Sequence, residues 1–222
     1  MSDKLSDQTS SNIGIKTLRI KGHIFEIECV ENTNTLLDSI SVDEFNIDER
    51  LPYWAEIWPS SIALSEYILD NKNEFLGKSI IELGCGLGLT GIAAKKAGGD
   101  VLFTDYEEEA LKFTKRNYRR NINDSARVKL FDWRKIDLNN QYDIIIAADI
   151  LYEKRWLDPI MNVLKKLLKT GGVAFIAEPN RTLAKEFFQN VDNENWQCYN
   201  LLKRVNFCSK LYTVSIHRII KC

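Results

Sequence analysis

Ile80-Ile81-Glu82-Leu83-Gly84-Cys85-Gly86-Leu87-Gly88-Leu89-Thr90-Gly91 runs from a short apolar strand through spaced glycines into a helical pattern. Glycines at a strand-to-helix turn let the chain bend sharply and let a ligand approach where a Cβ would clash. On either side the same alternation repeats. Residues 79–83 form the strand, and residues 89–97 the helix, stopped by Gly98-Gly99. Residues 100–104, 126–130, 142–148 and 173–177 read as further short strands. Residues 107–121, 156–169 and 182–190 read as helices. The second is amphipathic through Ile160, Val163, Leu164, Leu167 and Leu168, and ends at Gly171-Gly172. Strands that are apolar along their length and alternate with helices imply a parallel sheet covered on both faces. Residues 196–205 and 211–220 alternate without a helix between them, which implies a closing antiparallel hairpin. The fold class is α/β: a doubly wound, Rossmann-like, seven-stranded sheet.

Upstream of this core (77–222), residues 14–76 form an extension within the same single domain. Residues 15–20 and 23–30 alternate across Lys21-Gly22 as a β-hairpin, and residues 33–50 are acidic and loop-like. The segment Pro52-Tyr53-Trp54-Ala55-Glu56-Ile57-Trp58-Pro59 follows, after which Ser60 or Ser61 caps a helix to about Asn71. Residues 1–13 are Ser-, Asn-, Asp- and Lys-rich and are expected to be a disordered tail.

The bulk composition narrows the class. With 30 basic and 31 acidic side chains in 222 residues, net charge gives no reason to expect nucleic-acid or membrane binding. No apolar run has the roughly 20 residues of a membrane helix, and residues 1–7 lack the apolar core of a secretory signal. Cys29, Cys85, Cys198, Cys208 and Cys222 are scattered and form no C-x-x-C pair, which argues against disulfides and zinc. His23 and His217 have no second ligand nearby in the sequence. The expectation is a cytoplasmic, reduced, metal-free protein. Lys112, Lys115, Arg116, Arg119 and Arg120 form a basic stretch, but on a helix that opens Glu107-Glu108-Glu109. A solvated face matched to the helix dipole is preferred to an RNA site.

Two cofactors fit the glycine turn. Gly86-x-Gly88-x-x-Gly91 matches the dinucleotide fingerprint, and Asp105 at the next strand end would hold ribose hydroxyls for NAD. Aligned with the strand end, however, the pattern is Glu82-x-Gly84-x-Gly86-x-Gly88. An acid there repels a pyrophosphate but suits S-adenosylmethionine (SAM), which carries an amino group and a sulfonium and no phosphate. Glu82, Gly84, Cys85, Gly86, Asp105 and the adjoining Tyr106 are candidate cofactor residues. Asp132-Trp133, past the third strand, stands level with the adenine end; taken alone, Trp133 reads first as a core tryptophan. Ala148-Asp149-Ile150-Leu151-Tyr152 follows the fourth strand, beside the first, where ligands bind in doubly wound sheets. The alternative for Asp149 is a helix cap. Trp54 and Trp58 offer aromatic faces to a cation, or are core.

These residues together resemble the seven-strand protein-lysine methyltransferases with a D-x-x-Y motif, here Asp149-Ile150-Leu151-Tyr152. The segment from Pro52 to Pro59, then Ala63-Leu64-Ser65-x-Tyr67, Gly77-Lys78-Ser79 and Ile92-Ala93-Ala94-Lys95 are similar to electron-transfer flavoprotein β-subunit lysine methyltransferases. The sequence departs from them at Trp58-Pro59-Ser60 and at Glu178-Pro179-Asn180-Arg181. The resemblance implies the class I methyltransferase fold and SAM contacts from Trp58, Gly84, Cys85, Gly86, Asp105, Trp133 and Ala148. It implies substrate-side roles for Asp149 and Tyr152 and a protein lysine as acceptor. Beside it, Asp149 and Tyr152 are read as the catalytic pair, Asp149 orienting the amine and Tyr152 walling the pocket with Trp54 on the substrate side. A small-molecule amine methyltransferase and a non-catalytic SAM-binding regulator stay open as alternatives.

Overall fold

The computed structural model describes residues 13–32 and 51–222. The expected tail over residues 1–12 and the acidic stretch 33–50 lie outside the described residues. Strands β1 (Ile13–Ile20) and β2 (His23–Val30) pair antiparallel in full register, from Ile13 with Val30 to Ile20 with His23. After a 3₁₀ turn at Tyr53–Ala55 come helices α1 (Pro59–Asp70) and α2 (Lys72–Phe75). The alternating region then gives β3 (Ser79–Leu83), α3 (Leu89–Lys96), β4 (Asp100–Asp105), α4 (Glu108–Ile122), β5 (Arg127–Leu130) and β6 (Tyr142–Ala148). It closes with α5 (Leu157–Leu167), β7 (Leu168–Glu178), α6 (Ala184–Asn193), β8 (Gln197–Phe207) and β9 (Lys210–Ile220).

The larger sheet has seven strands in the order β5-β4-β3-β6-β7-β9-β8. β3 to β7 are parallel, while β9 runs antiparallel to both β7 and β8. Alternate residues of each buried strand face opposite sides. Ile80, Phe103, Ile144 and Phe175 join an apolar cluster with α1, α3, α4 and the β1–β2 hairpin. Ile81, Leu83, Ile145 and Ala174 join a second cluster with α5 and α6. The order reverses at β3, from which β4 lies to one side and β6 to the other, and this opens a crevice at their carboxyl ends.

Three local readings differ from the sequence expectation. Helix α1 starts on Pro59, with Trp58 in the capping position; Ser61 Oγ instead donates to the Trp58 carbonyl (2.7 Å). Proline suits the first helical position because the missing N–H has no helical partner there. Gly171-Gly172 does not end a helix but lies inside β7, where the strand has already begun at Leu168. Finally, Arg116 and Arg120 of α4 are not simply solvated, since both reach the Glu28 carboxylate on β2.

Candidate active site

The glycine turn is fixed from three sides. The Cys85 amide donates to the Thr104 carbonyl (2.9 Å) and Thr114 Oγ1 donates to the Gly86 carbonyl (2.8 Å). Gly86 has φ of +51°, and a Cβ there would lie 3.1 Å from the Trp54 carbonyl oxygen, so the aromatic segment lies directly over the turn. A Cβ at Gly91 would lie 2.4 Å from Glu82 Oε2 and 2.3 Å from Phe103. The third glycine of the dinucleotide-like spacing is therefore accounted for by packing inside the protein.

Glu82 is 3% exposed and its Oε2 accepts the Gly91 amide (3.1 Å). Burial pushes its carboxyl well above the usual range, against the pull of the Gly91 hydrogen bond, and Asp105 adds to the rise. Asp105, at the end of β4, is 7% exposed. Its Oδ2 accepts the Gly86 amide (2.8 Å) and its Oδ1 the Glu107 amide (3.0 Å). Each carboxylate oxygen has further lone pairs, so both remain able to accept from a ligand hydroxyl.

Asp132 and Trp133 both line the crevice. Both oxygens of Asp132 are bound by Arg134 (2.9 and 3.0 Å), whose guanidinium also reaches the Tyr106 hydroxyl (2.8 Å). Burial raises the Asp132 carboxyl, but the Arg134 hydrogen bonds outweigh it and hold the group low. Trp133 meets Trp156 edge-on at 5.8 Å.

Asp149 leaves β6 in the left-handed conformation, with φ of +63°. Its amide donates to the Ala177 carbonyl (2.8 Å) on β7. Its side chain, 6% exposed, accepts from Ser60 Oγ of α1 at Oδ2 (2.9 Å) and forms an ion pair with Arg181 at Oδ1. Tyr152 is partly buried, which raises its hydroxyl pKa, and the charges of Glu153 and Asp105 add to this. The Tyr53 ring meets Tyr152 edge-on at 5.3 Å and lies 6.1 Å from Trp58, whose Nε1 donates to the Tyr53 carbonyl (2.9 Å). Trp54 lines the same crevice, but its ring packs on Phe113 at 5.3 Å.

All the residues singled out from the sequence line one crevice of about 1140 Å³, open mouth included. Ser60 and Arg181 stand behind it. The sequence reading gave no site role to Tyr53, Arg134, Ser60 or Arg181; Tyr53 carried a signal as the third aromatic in the Pro-bounded segment, and Ser60 and Arg181 as departures from the family resembled. Among the described residues that line the crevice, seven are acids and one, Arg155, is basic. Such a lining repels phosphates and attracts a cation. The donor set fits SAM: a carboxylate for the ribose, a glycine turn that lines the crevice, and acids for an ammonium and a sulfonium. Among the described residues, no three His, Cys, Asp or Glu side chains group to hold a metal ion.

Comparisons with known proteins agree with this geometry. EEF1A lysine methyltransferase 3 of Mus musculus is 32% identical over 153 residues, covering 66% of this chain and 65% of that protein. The human electron transfer flavoprotein beta subunit lysine methyltransferase is 32% identical, covering 59% and 50% respectively. The histidine protein methyltransferase 1 homolog of Dictyostelium discoideum is 33% identical, covering 55% and 41%. The chain thus spans less than two thirds of these relatives' lengths. Among solved structures, the ribosomal protein L11 methylase of Lactobacillus delbrueckii subsp. bulgaricus superposes with a TM-score of 0.58 at 21% identity, covering 72% of this chain and 77% of that one. Magnesium protoporphyrin IX methyltransferase from Synechocystis PCC 6803, with bound SAM, gives 0.57 at 14% identity, covering 82% and 86%. These two likenesses concern the fold, which is that of class I methyltransferases. A model of the lysine methyltransferase family matches residues 45–194, which hold the aromatic segment, the glycine turn and the Asp149 loop alike, and on that match the chain belongs to this family.

Proposed function

We propose that the crevice binds SAM and that the chain transfers its methyl group to a lysine side chain of a protein substrate. The observation that carries this is the acid-lined crevice, in which the glycine turn and Asp105 face Asp149 and Tyr152. SAM supplies, when bound, a methyl group on a positively charged sulfur, already activated for in-line displacement. The work left to the protein is placement and desolvation of the acceptor. Asp105 takes the ribose hydroxyls. Gly84, Cys85 and Gly86 present the turn to the cofactor, with Glu82 beside them. Trp58, Tyr106, Asp132, Trp133 and Ala148 complete the cofactor wall, Asp132 with its carboxylate already held by Arg134.

On the acceptor side, Asp149 orients the amine through its remaining lone pairs. Tyr53 and Tyr152 wall the approach and favour the uncharged amine by excluding water. Trp54 contributes backbone over Gly86 and a ring to the crevice wall. None of the described helices is long and apolar enough to cross a membrane, and all five cysteines are free. Free thiols support a reducing compartment, and we take the site of action to be the cytoplasm.

The test is incubation with methyl-labelled SAM and a lysate of the source cells, followed by acid hydrolysis of the labelled protein. Methyl-lysine supports the reading. Methyl-histidine would move the acceptor to an imidazole, the second reading, favoured by the Dictyostelium relative's name. Label confined to small molecules would identify a free amine as acceptor instead. Binding without any transfer would leave a regulator.

A further inference from the structure

We propose that Arg181 is a positioning residue for methyl transfer, which holds Asp149 in place and cancels its charge so that the acceptor amine reacts uncharged. This rests on the lysine methyltransferase reading above and extends it to the loop where the sequence departs from its relatives, Glu178-Pro179-Asn180-Arg181.

That loop is tightly held. Asn180 has φ of +64°; its side chain donates to the Thr213 carbonyl (3.1 Å) and accepts from Ser215 Oγ (2.6 Å). The Arg181 amide donates to Glu178 Oε2 (3.0 Å). The anchoring aims the guanidinium at Asp149 from behind the crevice wall, while Ser60, fully buried on α1, takes the other carboxylate oxygen. The carboxylate is thus clamped from two elements distant in sequence.

The consequence lies in the acceptor's protonation. A lysine attacks only as the free amine, and an isolated buried carboxylate would stabilise its ammonium instead, raising the pKa the enzyme must overcome. With Arg181 paired to Asp149 the carboxylate still accepts an N–H but adds little net negative potential. The ammonium gives its proton to bulk water at the mouth of the crevice, and the lone pair then forms the N–C bond as the C–S bond breaks, its electrons passing to sulfur. The methylammonium so formed sheds its extra proton to water. The other ionisable groups near the pair are Glu178 at the end of β7 and Tyr152 in the same loop. Glu153 and Arg155 follow Tyr152 in the chain, Tyr53 packs on its ring, and Asp105 lies across the crevice. Glu178 is the remaining carboxyl beside both partners, so loss of Arg181 leaves the Asp149 charge uncompensated with a second acid next to it.

The experiment measures label transfer from saturating SAM into lysine of lysate proteins between pH 6.5 and 10. In wild type, the rising limb of the rate should lie well below about 10.4, the ordinary lysine value. Arg181→Met should lower transfer at pH 7 by about tenfold, with the deficit closing towards pH 10, and should leave SAM affinity within a few-fold. Arg181→Lys should recover most of the rate at pH 7. A deficit equal at every pH, or none, would overturn the inference. So would a wild-type limb at 10.4, which needs no variant to fold. Absence of transfer by wild type would instead bring down the proposed function itself.

Discussion

Asp105 and Asp149 are both buried carboxylates at strand ends, yet their partners divide their roles. Among the described residues, Asp105 is held by the Gly86 and Glu107 amides, which work against the burial that raises its carboxyl and leave lone pairs free for a ligand. On the proposed ribose contact, Asp105→Ala removes the carboxylate that accepts the two hydroxyls, so the SAM dissociation constant measured by calorimetry should rise about ten- to a hundredfold. Unchanged affinity would take it out of the ribose site. Asp149 needs a substitution tolerated at positive φ, and asparagine is one. Asp149→Asn should lower transfer by roughly a hundredfold while SAM affinity stays within a few-fold. Parallel loss of both would assign Asp149 to the cofactor or the fold. These two carboxylates were legible in the sequence because each follows an apolar strand. Arg181 and Ser60 were not: they stood out only as departures from the family resembled, and they reach Asp149 from 32 and 89 positions away, which no local pattern foretells. Tyr53 was passed over because two tryptophans beside it drew the aromatic argument.

The β1–β2 hairpin shows how one element is seated on another. Its backbone is met by two asparagines one helical turn apart on α4, which act as a strand neighbour would. Asn117 accepts from the Glu28 amide (2.7 Å) and donates to the Glu28 carbonyl (3.0 Å), and it also donates to the Leu87 carbonyl beside the glycine turn (3.0 Å). Asn121 repeats the exchange at Glu26 (3.0 and 2.8 Å). The hairpin itself was readable from its alternation, but its seat was not: the asparagines sit among the arginines of a helix whose charge pattern fits plain solvation. Asn117→Ala leaves three backbone groups without their partner, and stability should fall by about 2 kcal/mol, or roughly 4–8 °C in melting temperature. A shift under one degree would show that water replaces the side chain.

Across the whole molecule, the end of the sheet opposite the crevice is fastened by Asp143. Its carboxylate accepts from the Ser79 amide (2.9 Å) and hydroxyl (2.6 Å) on β3 and from Lys169 on β7 (2.7 Å), joining three neighbouring strands. The Lys169 hydrogen bond first, then those of Ser79, hold the Asp143 carboxyl well below its ordinary value. A carboxyl depressed in the folded state adds stability above its unfolded pKa and loses it as pH falls through the folded one. Asp143→Asn should therefore lower the urea midpoint at pH 7, and the two proteins should converge as the pH drops below 3.8. A constant gap would mean that shape rather than charge joins the strands. The sheet was expected from the apolar runs, and its reversed closing pair from two strands lacking a helix between them. That last pair has a consequence for the growing chain. β8 is made before β9 but lies outside it in the sheet, with β9 between it and β7. As the ribosome releases β8, its one sheet neighbour has yet to be made, so this strand cannot be seated until β9 follows, whether β9 docks on β7 first or the two dock together as a hairpin.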